Sequence, residues 1–383
     1  MSKLLPTQEI GSLAKPRWRI KGYRGKPLSK EDIAEAIDWG RKLEIPDLKE
    51  LVKLLNERDS PSKRRGILEW SAIYAIRFFK AAGLDVFFDG EQWRSEMYEH
   101  VIRQTAGFNS LGYIKSFDYR YFNKAACINK PQYTNSFYLD EFLFTKENTE
   151  KEIKVPFTGP YTLVDWTFNE YYEKKLSHKI MDFKQRKFEA KKNFLFDLIK
   201  EVIRPEIKKL VDSGAKWIQI DEPAATTNPT DEEMRLFVEC FNETVKDFNC
   251  TFSLHNCYSN YEILAKYACD LRNCSQLALE FANRDSRQAK VGNERAGYKE
   301  IELFEEYGFR GDYGLGVVDV HTNFIEPPKL VRNRILHVAK MIGDPSRIYV
   351  SPDCGLRTRF WEISLRKLKN MVSGAELARN AVK

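Results

Sequence analysis

Short apolar runs alternate along the chain with longer segments of helical period, and most of the apolar runs end in polar or ionisable residues. Eight runs are candidate strands: residues 4–10, 84–91, 154–159, 216–221, 251–255, 277–281, 314–320 and 347–352. Apolar runs this short, bounded by turn residues, are strand-like rather than helical. Ser29 followed by Glu31 and Asp32 predicts a helix start, and Pro46 breaks the periodicity that follows. A long helix over residues 62–82 should end at Gly83. Residues 14–30, rich in lysine and arginine, are expected to form a loop, and residues 162–212 to be mostly helical. Residues 109–150 interrupt the alternation. Within them, 113–122 and 135–144 are aromatic and partly alternating, which predicts a hairpin-like insertion after the second strand. Eight strands separated mainly by helical segments point to an α/β fold, a single (β/α)8 TIM barrel over residues 1–383. An open doubly wound sheet is the weaker expectation, because no glycine-rich nucleotide fingerprint follows the first strand.

Composition narrows the picture. A chain of 383 residues with 43% hydrophobic content and seven Trp can fill the core of one large barrel. The net charge of +7 is spread among acids and bases, so nucleic acid is not implied, although an anionic ligand or acidic partner would be favoured. Seven cysteines without regular spacing do not suggest a disulfide framework. The N-terminal MSKLLPTQEIG has too short an apolar run for a signal peptide, and no stretch nears the roughly 20 apolar residues of a membrane span. A cytoplasmic protein with no membrane contact is expected.

Chemistry gathers where strands end. In TFSLHNCYS, residues i and i+2 of an extended chain share a side, so His255 and Cys257 can present an imidazole and a thiolate together. Imidazole with thiolate suits zinc better than magnesium or calcium. A later strand delivers Cys354 at a Pro-Asp-Cys-Gly turn, and Glu280 stands as a lone acid in the apolar run LALEF. A carboxylate in such a run must be paired, protonated or metal-bound. These four residues form a plausible zinc shell, catalytic if it exchanges a ligand for a substrate thiol and structural if it only staples the strands. In IQIDEPA, Asp221 and Glu222 could cap a helix N-terminus or hold the amino group of an amino-acid substrate. Asp319 and His321 repeat the i, i+2 pattern, and Asp319 could orient the imidazole as a proton donor.

HNCYSN, SPDCGLRTR and WIQIDEPA, with IGS at Ile10 to Ser12, DGE at Asp89 to Glu91, FTGP at Phe157 to Pro160 and VDVH ending at His321, resemble the catalytic barrel of cobalamin-independent methionine synthase. The resemblance runs from about residue 5 to about residue 365, with the motifs in one order. It implies zinc held by His255, Cys257, Glu280 and Cys354, and methyl transfer to the thiol of L-homocysteine. It further implies that Asp221 and Glu91 grip the homocysteine ammonium while backbone at Ile10, Gly11 and Ser12 receives the carboxylate. Trp166 matches a tryptophan that packs on the pterin ring, Arg120 an arginine of the folate site, and His321 the histidine that protonates the departing folate nitrogen. The chain departs from the pattern at Tyr121, where the family has a cysteine, and at Thr227, where it has a pterin-binding glutamate. The N-terminal barrel of full-length members has no counterpart here. The expected donor is therefore methylcobalamin or a small corrinoid protein rather than methyltetrahydrofolate. A methyltetrahydrofolate-dependent methionine synthase, transfer to another thiol such as coenzyme M, and binding of a thiol amino acid without turnover are the alternatives.

Overall fold

The computed structural model describes residues 3–115, 121–289 and 295–382. Its centre is a six-stranded parallel sheet with the hydrogen-bonded order Ile348–Pro352, Asp312–Val318, Cys274–Leu279, Thr251–Asn256, Trp217–Asp221 and Val155–Thr158. Burial of nearly every position of these strands fits a parallel sheet covered by helices. The remaining two expected strands are much reduced. Residues 4–10 contribute single parallel bridges from Thr7 to Val350 and from Gln8 to Val86, and Val86–Phe87 pairs with Glu152–Ile153. These ladders do not close into one continuous barrel; the hydrogen-bonded sheet is interrupted at Lys154, between Ile153 and Val155.

The helix signals in the sequence are realised with their caps. Ser29 and Asp32 form a reciprocal capping box ahead of Lys30–Lys42. The helix Pro61–Ala82 ends at Gly83 in the left-handed conformation, φ 85°. Helical packing outside the sheet buries Leu68, Phe78 and Phe79 from that helix and Leu368 and Met371 from Trp361–Val382. No helix among the described residues is long and apolar enough to cross a membrane.

Two local expectations are corrected. Residues 14–30 are not all loop: Arg17–Tyr23 is a helix entered from Pro16, with Trp18 and Arg19 buried. Arg19 tolerates burial because its guanidinium donates to the carbonyls of Gln92 and Arg94. The insertion has the hairpin, but its arms are Thr105–Lys115 and Tyr121–Tyr133. Residues 135–144 supply no strand; Leu139–Asn148 is a helix capped by the Ser136 hydroxyl, which accepts the Leu139 N–H at 3.2 Å. Its Glu141 is buried against Arg94, a tertiary pairing that overrides the strand-like aromatic pattern.

Candidate active site

The sheet register builds the site before any side chain is considered. Asp221 lies beside His255, and His255 beside Ala278, across adjacent parallel strands. His255 Nδ1 is 2.9 Å from the Ala278 carbonyl, which holds the proton on that nitrogen and leaves the Nε2 lone pair free to ligate a metal. Nε2 faces Cys354 Sγ at 3.5 Å. One ligand atom from each of His255, Cys257 and Cys354 lies within 4.8 Å of the others. Three residues from two distant stretches of sequence thus converge, and the soft donor set of two sulfurs and one imidazole nitrogen fits zinc.

Electrostatics mark the same trio. A hydrogen bond from the Cys257 thiol and the adjacent imidazole pull Cys354 down to about 5 against the effect of burial, while Cys257 is pushed well up by the same hydrogen bond and by burial. Burial would lower His255, but the neighbouring Cys354 raises it to about 9.

Backbone stitching fixes the flanking groups. The buried Asp353 carboxylate accepts the N–H groups of Phe281, Ala282 and Asn283 at 2.7–3.0 Å, which sets the turn after Glu280. The Tyr261 hydroxyl donates to the Asn256 carbonyl and accepts the Glu280 N–H, tying two strand ends together. Glu280 Oε1 is 3.1 Å from His321 Nε2, and its Oε2 accepts the Tyr258 N–H at 3.0 Å. His321 Nδ1 in turn is 2.8 Å from the Tyr258 hydroxyl. The Asp319 carboxylate accepts the His321 backbone N–H at 2.8 Å, so it positions the loop carrying the imidazole.

The acid pair of IQIDEPA divides its labour. Glu222 is buried and accepts the N–H groups of Tyr161 and Thr162 at 3.0 and 2.7 Å, satisfying the helix that begins at Pro160. Gly159 makes room for it, since a Cβ there would lie 2.1 Å from the Glu222 carboxyl. Gly159→Ala is expected to cost about 2 kcal/mol of folding stability through overpacking, measured by urea unfolding. Asp221 instead faces the cavity and is pushed up to about 7, chiefly by burial, with His255 opposing and Glu91 adding. Gln219 Nε2 links Asp221 Oδ1 (2.8 Å) to the Ile10 carbonyl (2.6 Å).

The cavity of about 140 Å³ brings together Ile10, Gly11, Ser12, Glu91, Trp166, Asp221, His255, Cys257, His321 and Cys354 among its walls. Glu91 sits at φ 55° with its N–H on Asp89 Oδ1, and a Cβ on Gly11 would come within 2.6 Å of its carboxylate. Among the described residues, the N–H groups of Gly11 and Ser12 have no acceptor. Trp166 stacks on Phe122, ring centroids 5.4 Å apart. Thr227 is exposed, its hydroxyl turned back on the Ala224 carbonyl. Arg120 lies outside the described residues. Sequence reasoning missed Tyr258, Glu96, Phe122 and Arg357, which also line the cavity. Tyr258 and Arg357 belong to the very motifs HNCYSN and SPDCGLRTR, whose neighbours drew the eye instead.

Comparison with known proteins gives a consistent result. Residues 47–377 match the family model described as cobalamin-independent synthase, catalytic domain. The chain is 38% identical over 380 residues to the methionine synthase of Thermococcus kodakarensis, covering 98% of this chain and 94% of that one. It is 32% identical over 390 residues to that of Saccharolobus solfataricus, covering 100% and 98%. Among solved structures, a B12-independent methionine synthase from a Shewanella species, in complex with selenomethionine, superposes with a TM-score of 0.72 at 20% identity, covering 99% of both chains. A methyltransferase from Methanosarcina mazei gives 0.59 at 13% identity, covering 98% of this chain and 95% of that one.

Proposed function

The chain belongs to the family of cobalamin-independent methionine synthase catalytic domains, and we propose that it forms methionine by methyl transfer from a corrinoid donor to L-homocysteine at a zinc site. It is a homocysteine methyltransferase of the methionine synthase type. The observation that carries the site is the convergence of His255, Cys257 and Cys354 in the lining of a cavity that Asp221 and Glu91 also line. His255, Cys257 and Cys354 would hold the metal, while Glu280, the fourth ligand implied by the resemblance, lies outside that trio with its carboxylate on His321 and would have to turn to reach the metal. When bound, zinc keeps a substrate thiol deprotonated at neutral pH. A parallel sheet bridged to residues 7–8 and 86–87 is in keeping with a (β/α)8 barrel, whose sites open at the C-terminal strand ends.

This chain's own residues then orient the acceptor. Asp221 and Glu91 take the ammonium of homocysteine, which offsets the cost of burying the Asp221 carboxylate. The N–H groups of Gly11 and Ser12 receive its carboxylate. A methionine analogue bound in the Shewanella relative supports an amino acid of this shape. His321, held between Tyr258 and Glu280, stands at the cavity wall facing the incoming donor.

The choice of donor follows from what this wall lacks. A folate nitrogen must be protonated as its methyl leaves, and the pterin needs an acid to recognise it. Thr227 offers no acid and turns away from the cavity. A corrinoid leaves as cobalt(I) without protonation. It would act here as a substrate consumed once per turnover, not as a resident cofactor. Parallel assays with methylcobalamin and methyltetrahydrofolate should give faster methionine formation with methylcobalamin. Robust turnover with methyltetrahydrofolate, and none with methylcobalamin or a corrinoid protein, would reverse the assignment.

A further inference from the structure

A buried charged pair holds the end of the strand Asp312–Val318 from outside the acceptor cavity. Lys367, on the helix Trp361–Val382, is fully buried and meets the equally buried Glu326 at 2.9 Å. Taking an ammonium and a carboxylate out of water is costly, and an apolar pair of similar volume often holds a fold as well or better. Stability alone therefore gives no reason for the two charges. Their hydrogen bonds do. Lys367 Nζ donates to the Asp319 carbonyl at 2.9 Å and to the Phe324 carbonyl, while Glu326 Oε1 accepts the Asp319 N–H at 2.9 Å. One ion pair thus fixes both backbone groups of Asp319. The same helix holds the turn a second time through Asn370, whose Nδ2 donates to the Glu326 carbonyl at 2.8 Å. From Asp319 the constraint passes on through the carboxylate that accepts the His321 N–H, and the His321 ring ends against Glu280 and Tyr258. Apolar side chains at 326 and 367 could fill the same space, but they could not set the direction of the Asp319 peptide groups.

We propose that Lys367 and Glu326 are positioning residues for methyl transfer: by clamping both backbone groups of Asp319 they hold the His321 ring in place at the cavity wall. The inference rests on the methyl-transfer reading above and adds to it two residues that do not themselves line the cavity.

Removing one charge would strand the other in the interior, so the test uses the double variant Lys367→Met with Glu326→Leu. Arg334, 4.0 Å from Glu326, keeps Asp285 as its partner at 2.8 Å. The double variant should unfold in urea near the wild-type midpoint, because recovered desolvation offsets the lost hydrogen bonds. Zinc content should be unchanged, and homocysteine affinity should stay within about twofold, since neither side chain reaches the cavity. By contrast, kcat for methionine formation with methylcobalamin should fall roughly 10- to 100-fold, the scale of cost when a remote change misplaces a site group by about 1 Å. Lys367→Met with Glu326→Gln returns an acceptor for the Asp319 N–H and should recover part of that loss. The ring nitrogen signals of His321, one of five histidines and assigned through His321→Gln, should shift at fixed pH in the first variant and less in the second. Wild-type kcat and an unmoved ring signal in a folded double variant would reduce the pair to packing and overturn the proposal. One measurement needs no variant: in wild type the Asp319 amide should exchange with deuterium more slowly than the rest of the 319–326 turn. Rapid exchange there would overturn the clamp even if both double variants failed to fold. Wild type that forms no methionine with methylcobalamin or methyltetrahydrofolate would sink the methyl-transfer reading alone, and amide exchange with the ring signal would still decide the clamp.

Discussion

Cys354→Ser purified under zinc-replete conditions is expected to lose nearly all of its metal while keeping its fold. The hydroxyl of serine is a poor zinc donor, and only two soft ligands would remain from the trio. Loss of a group that merely supports a metal ligand already costs 10–100-fold in affinity, so removal of a ligand should exceed about 100-fold. The fold should survive because the turn is held from Asp353, whose carboxylate accepts three backbone N–H groups regardless of the residue that follows. Elemental analysis and circular dichroism read the two outcomes independently. Wild-type protein that holds about one zinc per chain, beside a variant that holds none, would support the site. Retention of zinc by the variant would remove Cys354 from it. Methionine formation should fall with the metal.

Asp221→Asn is expected to weaken homocysteine binding by roughly 30-fold to several thousand-fold, the range for removing one partner of a buried charge pair at 2–5 kcal/mol. The substitution preserves shape and the hydrogen bond from Gln219, so a general collapse of the pocket is not expected. The control is 4-mercaptobutanoate, which has the same thiol and carboxylate but no amino group. Its binding should change little in the variant. Calorimetric titration of both ligands into both zinc-loaded proteins gives the comparison directly. An equal loss for the two thiols would show that Asp221 shapes the pocket without gripping the ammonium, and would reopen the possibility of a thiol such as coenzyme M as acceptor.

Much of this site can be read from the sequence because parallel strands deposit their last residues at one end. His255, Cys257, Asp221 and Cys354 each follow an apolar run, and strand register does the rest. What could not be read depends on partners far away in the chain. Arg17–Tyr23 forms a helix although its residues look like a basic loop, because Trp18 packs on Tyr74 and Arg19 finds carbonyls near residue 92. The aromatic stretch 135–144 joins a helix because Glu141 meets Arg94. Spacing alone pairs Asp319 with His321, but not the contact of its carboxylate with the His321 backbone N–H, nor the meeting of the ring with Tyr258 and Glu280 from other strand ends.

The adjacency of Asp221 and His255 carries a consequence for selectivity. Neighbouring parallel strands are held about 4.8 Å apart by their backbone bonds, so neither end of the acceptor pocket can drift relative to the other. Under the proposed assignment, one end takes the ammonium and the other the sulfur. The pocket is then a gauge of chain length between two functional groups, its side chains anchored at a spacing the main chain sets. Cysteine, one methylene shorter, could satisfy either end but not both at once. A single methylene in a fitted pocket is worth about 1–3 kcal/mol, and here the shortfall would also strand a buried charge. Rejection of the shorter thiol would follow from the strand spacing that sets where these side chains start.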